Sequence, residues 1–154
     1  HLDNNYIYIL NVRFAGEIQY HKNIADSALD VRVPSMILQP IVENAVNYGI
    51  RDIDREKIIE VTCEDTGDFF ELSVWDNGRG MSKERIDEVL GGDYAPDKTG
   101  TGSGPTGSNG IGIGNVLNRM ELYFGQTHLL DIRSDGTDCG TEVIIKIPHS
   151  GMTV

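Results

Sequence analysis

Asp76 closes an alternating run, Phe69 to Asp76, and shares parity with Phe70, Leu72 and Val74. That parity directs its carboxylate toward the core side, where a charge is costly unless a specific donor meets it. The exocyclic amino group of an adenine is one such donor. A plain turn capped by Asp is the other reading, because Asp76-Asn77-Gly78-Arg79-Gly80-Met81 also has the pattern of an ordinary D-x-G-x-G turn. Gly78 and Gly80 permit a tight turn and close backbone approach to a ligand.

Three further groups could join it. Glu43, Asn44 and Asn47 fall on one side of a helix that Pro34 opens and Gly49 ends. They lie opposite an apolar stripe of Ile37, Leu38, Ile41, Val42 and Ala45. Helix geometry alone suits a solvated face. It also suits amide and carboxylate oxygens holding a hard cation such as Mg²⁺. Gly110-Ile111-Gly112-Ile113-Gly114 precedes a helical pattern, where free N–H groups and the positive helix end attract anions. A glycine-rich loop precedes these glycines rather than a strand, and no G-K-[ST] follows, so dinucleotide-fingerprint and P-loop readings fail. Thr141 shares parity with Val143, Ile145 and Ile147, so its hydroxyl should face the same interior as Asp76.

The elements that must position these residues alternate between helix and strand signals. Glu17 to Ile24 reads as an edge strand. Lys57 to Glu64 and Phe69 to Asp76 read as a hairpin across a short D-T-G-D turn. Ser82 caps a helix through Leu90, and a third helix runs from Gly112 to Phe124, stopped by Gly125. Leu129 to Arg133 and Thr141 to Ile147 read as a closing hairpin. The first fifteen residues suit either a strand or the tail of an upstream linker helix. Nine of the 18 glycines fall between Gly91 and Gly114. Residues 91–109 are thus too long and too polar for an ordinary connection and read as a mobile lid. The expected fold class is α+β: a two-layer sandwich, three main helices on one face of a mixed, largely antiparallel sheet, in a single domain over residues 1–154.

Composition narrows the partners. With 13 Lys and Arg against 24 Asp and Glu, the chain has a formal net charge of -11 and no cluster of basic residues. Nucleic acid and anionic membrane surfaces are disfavoured, and a phosphorylated ligand would depend on a divalent cation and backbone N–H groups. Cys63 and Cys139 have neither metal-ligand nor redox spacing and are expected reduced and buried.

Taken in order, these motifs resemble the GHKL superfamily of ATP-binding domains, shared by gyrase, Hsp90, MutL and histidine kinases. Glu43 to Gly49 resembles the N-box, Asp76 to Gly80 the first glycine box and Gly110 to Gly114 the second. Gly140 to Pro148 is similar to the last strand of that fold. VPSMILQPIVENAVNYG and GIGIGNVLNRMELYFG narrow the resemblance to sensor histidine kinases of the LytS/YesM type.

The resemblance implies ATP and Mg²⁺ as cofactors. It gives Asn44 as the Mg²⁺ ligand, Asp76 as the adenine-reading carboxylate, Tyr48 beside the adenine and Thr141 near it. Asn47, Gly78, Gly80 and Met81 fall in the nucleotide-binding boxes. Gly110, Ile111, Gly112, Ile113 and Gly114 form the lid hinge and phosphate site. Position 47 is often Lys or Arg in related kinases; Asn47 here shifts the load to Mg²⁺ and backbone N–H groups. Hydrolysing members carry a glutamate one turn before the Mg²⁺ asparagine, where this sequence has Pro40. Glu43 is the remaining candidate base, and slow hydrolysis is expected.

The implied activity is that of a protein histidine kinase. It would donate the γ-phosphate to a histidine on an upstream dimerisation domain and thence to a response regulator. No acceptor motif surrounds any of the four histidines, so this chain by itself is not expected to autophosphorylate. The implied setting is the cytoplasmic side of a membrane-anchored bacterial receptor, without direct membrane contact by this domain. The alternatives are a GHKL conformational clamp ATPase and a nucleotide-sensing binding module.

Overall fold

The computed structural model describes residues 6–9, 12, 18–46, 54–91, 105–136 and 139–149. In chain order the elements are β1 (Tyr6–Tyr8), β2 (Ile18–Ile24), a 3-10 turn (Asp26–Ala28), β3 (Arg32–Pro34), α1 (Ser35–Asn44), β4 (Lys57–Asp65), β5 (Phe69–Asp76), α2 (Lys83–Gly91), α3 (Pro105–Phe124), β6 (Leu130–Arg133) and β7 (Thr141–Pro148). Five strands form one sheet in the order β2-β4-β5-β7-β6. β2 pairs parallel with β4, and the other pairs are antiparallel. The expected α+β sandwich is the observed one.

Alternation fixes which face is the core. Ile59, Val61 and Cys63 on β4 are buried in one cluster with Leu72 and Val74 on β5 and Val143, Ile145 and Ile147 on β7. The apolar stripe of α1 (Ile37, Leu38, Ile41) and the inner side of α3 (Ile113, Val116, Met120) close over this face. Burying a branched aliphatic side chain is worth roughly 1.5–3 kcal/mol, so this one-sided core dictates the strand register.

Helix ends follow local chemistry. Ser82 Oγ accepts the Arg85 N–H at 3.1 Å and caps α2. Gly125, at φ 69°, ends α3 with its N–H on the Glu121 carbonyl. Pro40 stands inside α1 and has no N–H for the carbonyl of Met36. The guanidinium of Arg119 on α3 supplies the missing donor, 2.6 Å from that oxygen.

One open alternative is decided and three expectations change. Of the first fifteen residues, 6–8 are strand: β1 pairs antiparallel with β3 in a small second sheet. Alternating Tyr-Ile-Tyr suits a strand, and the Arg32 guanidinium lies 5.4 Å from the Tyr6 ring and 5.7 Å from the Tyr8 ring. Pro34 ends β3 and stands at the residue before α1 instead of in its first turn. α3 starts at Pro105, seven residues before the expected Gly112, so residues 105–109 of the expected lid are helical; its residues 92–104 lie outside the described residues. Proline loses nothing at a helix start, since its absent N–H would have had no partner there. Cys139 is exposed in the loop before β7, whereas Cys63 is buried, and both are free. Burial pushes the Cys63 thiol up to about 12.

Candidate functional site

β5 and β7 bring Asp76 and Thr141 into direct cross-strand register. Both are buried, at 2% and 4% exposure. Asp76 is the only buried carboxylate among the described residues. Its Oδ1 accepts the Gly78 N–H at 2.9 Å. Burial pushes its carboxyl up to about 7, against the opposing pull of backbone N–H groups from Gly78 and Thr141. A carboxylate so placed has a strong remaining capacity to accept a hydrogen bond.

The glycine turn after Asp76 is knitted on both sides. Asn77 extends the β4–β5 ladder: Ile58 N–H donates to its Oδ1 at 2.9 Å, and its Nδ2 donates to the Glu56 carbonyl at 2.7 Å. Arg55 Nη2 donates to the carbonyls of Asn77, at 2.6 Å, and Gly78, at 3.2 Å. From the other side, Gly140 N–H donates to the Gly78 carbonyl at 3.0 Å. Gly80 takes φ +75°, and a Cβ on it would stand 2.0 Å from the Gly136 carbonyl oxygen. Gly140 takes φ +81°, and a Cβ there would stand 2.4 Å from the Asp76 carbonyl oxygen. Only glycine fits either position.

Gly78 is buried, and Met81 is half-buried against the core. Asn44 is half-buried at the last turn of α1, with Glu43 exposed beside it. Asn47 and Tyr48 lie outside the described residues. Gly110, Ile111, Gly112, Ile113 and Gly114 fall within the first half of α3 rather than before its start, and Ile113 and Gly114 are buried. Sequence reasoning missed Arg55, Asn77 and Ser134 as organisers of the turn. Their types carried no signal, because each acts through a partner remote in sequence.

Among the described residues no three His, Cys, Asp or Glu side chains gather to hold a metal. Asn44, expected to hold Mg²⁺, offers one half-buried amide oxygen at the end of α1. A groove of about 420 Å³ lies elsewhere, at the β6 edge between Leu117, Leu129, Ile144 and Lys146, away from Asp76.

Residues 30–151 match the family described as histidine kinase-, DNA gyrase B- and HSP90-like ATPase. The chain belongs to this family. It is 32% identical to the sensor protein LytS of Streptococcus mutans and 28% identical to the sensor histidine kinase YesM of Bacillus subtilis, each over 94% of its own length. It spans just under a quarter of those relatives, 23% and 22%. The fold also matches the catalytic domain of histidine kinase ThkA, with a TM-score of 0.59 and 20% identity over 86% of this chain and 80% of that one. The mycobacterial sensor histidine kinase MprB gives 0.57 and 17%, over 86% and 82%. The family match takes in most of this chain, from β3 through β7. No helix among its described residues is long and apolar enough to cross a membrane.

Proposed function

We propose that this domain serves a sensor histidine kinase, holding Mg-ATP so that its γ-phosphate reaches a histidine on an upstream dimerisation domain. A response regulator would be the next acceptor, and the whole protein would be a membrane-anchored bacterial receptor with this domain in the cytoplasm. The observation that carries the reading is the buried Asp76 carboxylate in register with Thr141. A buried carboxylate of this kind favours a ligand that brings it an N–H donor.

In this reading Asp76 accepts from the adenine amino group, and Thr141 and Tyr48 flank the base. Gly78, Gly80 and Met81 shape the wall around it. Asn44 holds the metal through its amide oxygen, and Asn47 lies beside the phosphates. Bound Mg²⁺ would neutralise phosphate charge and orient the triphosphate. Gly110, Ile111, Gly112, Ile113 and Gly114 contribute backbone N–H groups where the phosphates lie. In the transfer, the P–O bond to ADP breaks and a P–N bond to the acceptor histidine forms. Such transfer depends on positioning and charge stabilisation. Water activation is weakly provided: Pro40 has no acid to offer, and Glu43 is exposed.

Calorimetric titration with ATP, with and without Mg²⁺, tests this. Binding that Asp76→Asn abolishes supports the adenine site, and unchanged binding by that variant sinks it. Phosphohistidine formation by the longer receptor, absent when Asp76 is replaced, tests the kinase assignment.

A further inference from the structure

Ser134 follows β6 directly, and its hydroxyl is the junction of two segments that flank the Asp76–Thr141 pair. Its Oγ accepts the Met81 N–H at 3.0 Å and the Gly136 N–H at 3.3 Å, and donates to the Gly140 carbonyl at 2.6 Å. Met81 ends the glycine turn that begins at Asp76, and Gly140 immediately precedes Thr141. One hydroxyl therefore ties the far end of the turn to the residue before β7. A second tie, from Gly140 N–H to the Gly78 carbonyl, fixes the near end at 3.0 Å. Between the two ties Gly80 lies so close to the Gly136 carbonyl that no Cβ fits.

We infer that Ser134 is a positioning residue for nucleotide recognition: it holds the glycine turn that follows Asp76 against the β6–β7 loop, so that the far end of the turn, at Met81, keeps one position beside the Asp76–Thr141 pair. The inference rests on the nucleotide reading of that site. Alanine at this position leaves the Met81 N–H and the Gly140 carbonyl without their partner, and half-buried polar groups then draw in water and separate. Asp76 and Thr141 would keep their burial in the sheet, yet the turn around the base would widen. Base discrimination, rather than stability alone, is what such widening erodes. Ser134→Thr keeps the hydroxyl.

Two measurements test this at a temperature well below unfolding. Titration with Mg-ATP and Mg-GTP should show Ser134→Ala losing about tenfold in ATP affinity, with a smaller ATP-over-GTP preference, and Ser134→Thr recovering both. A folded Ala variant with wild-type affinity and preference overturns the inference. Amide hydrogen exchange in the protein without nucleotide should show faster exchange at Met81 in the Ala variant only, and no acceleration also overturns it. If the wild type binds neither nucleotide, the proposed function fails, and the Met81 exchange still decides whether Ser134 holds the turn.

Discussion

At the scale of the residue, Asp76 puts function in conflict with stability. Its folded pKa, about 7, stands above the ordinary 3.8 because burial disfavours the charged form. The stability linked to this group is therefore fully present below about pH 4 and lost as pH rises through 7. The loss is of order 4 kcal/mol at most. Asp76→Asn keeps an oxygen for the Gly78 N–H and carries no charge. The variant's advantage in stability should grow from pH 4 to pH 7 and level off above, as read from denaturant midpoints across that range. A constant difference would show that Asp76 does not titrate in this window. Nucleotide binding should move the opposite way. An adenine amino group favours the ionised carboxylate, so binding near pH 6.5 should release a proton. Calorimetry of the wild type in buffers of different ionisation enthalpy would detect that proton, and a binding enthalpy independent of the buffer would refute its release. The single tryptophan, Trp75, is adjacent to Asp76, and its indole nitrogen faces Gly140. Its fluorescence gives an independent reading of occupancy.

At the scale of the element, α1 and α3 are coupled through an absence. Pro40 denies the Met36 carbonyl its helical donor, and Arg119 replaces it. Arg119→Met should therefore cost about 1–2 kcal/mol with Pro40 in place, and clearly less with Pro40→Ala, whose own N–H restores the bond. Equal losses in the two backgrounds would refute the coupling. The glycines of α3 make a second case. Gly110 and Gly112 lie inside a helix, where each costs about 0.5–1 kcal/mol relative to alanine. Replacing both with alanine should stabilise the domain by about 1–2 kcal/mol. If their N–H groups must leave the helix to meet phosphate, the same change should weaken Mg-ATP binding. Unchanged affinity would remove them from the phosphate site. These elements also show what the sequence could and could not disclose. Alternation in Phe69–Asp76 and Thr141–Pro148 was enough to place Asp76 and Thr141 on one face, because the core fills only one side of the sheet. β1 and β3, three residues each, are too short to carry a period. Pro40 announced a missing donor, but nothing near it named Arg119, 83 positions from Met36. The start of α3 was misplaced because glycine propensity pointed to a loop where Pro105 begins a helix.

At the scale of the whole molecule, the net charge of -11 must be reconciled with a polyanionic ligand. The summed field of such a chain repels ATP over distances near the Debye length, about 10 Å at 0.1 M salt. Most phosphate sites work the other way: lysine or arginine contacts attract the ligand, and added salt weakens binding. Here position 47 is Asn, and the proposed phosphate contacts are Mg²⁺ and backbone N–H groups, which carry no mobile side-chain charge. Salt should then relieve the long-range repulsion while leaving the local contacts in place. Raising the ionic strength from about 20 to about 150 mM at saturating Mg²⁺ should speed nucleotide association and leave the dissociation constant steady or tighter. Stopped-flow mixing followed through Trp75 measures the rate, and calorimetry at the two salt concentrations measures the affinity. A tenfold loss of affinity over that range would mean that side-chain cations hold the phosphates after all. An Asn47→Lys variant sets the comparison: it should bind Mg-ATP more tightly at low salt and lose that gain as salt rises, because it installs the screened contact that the natural sequence omits.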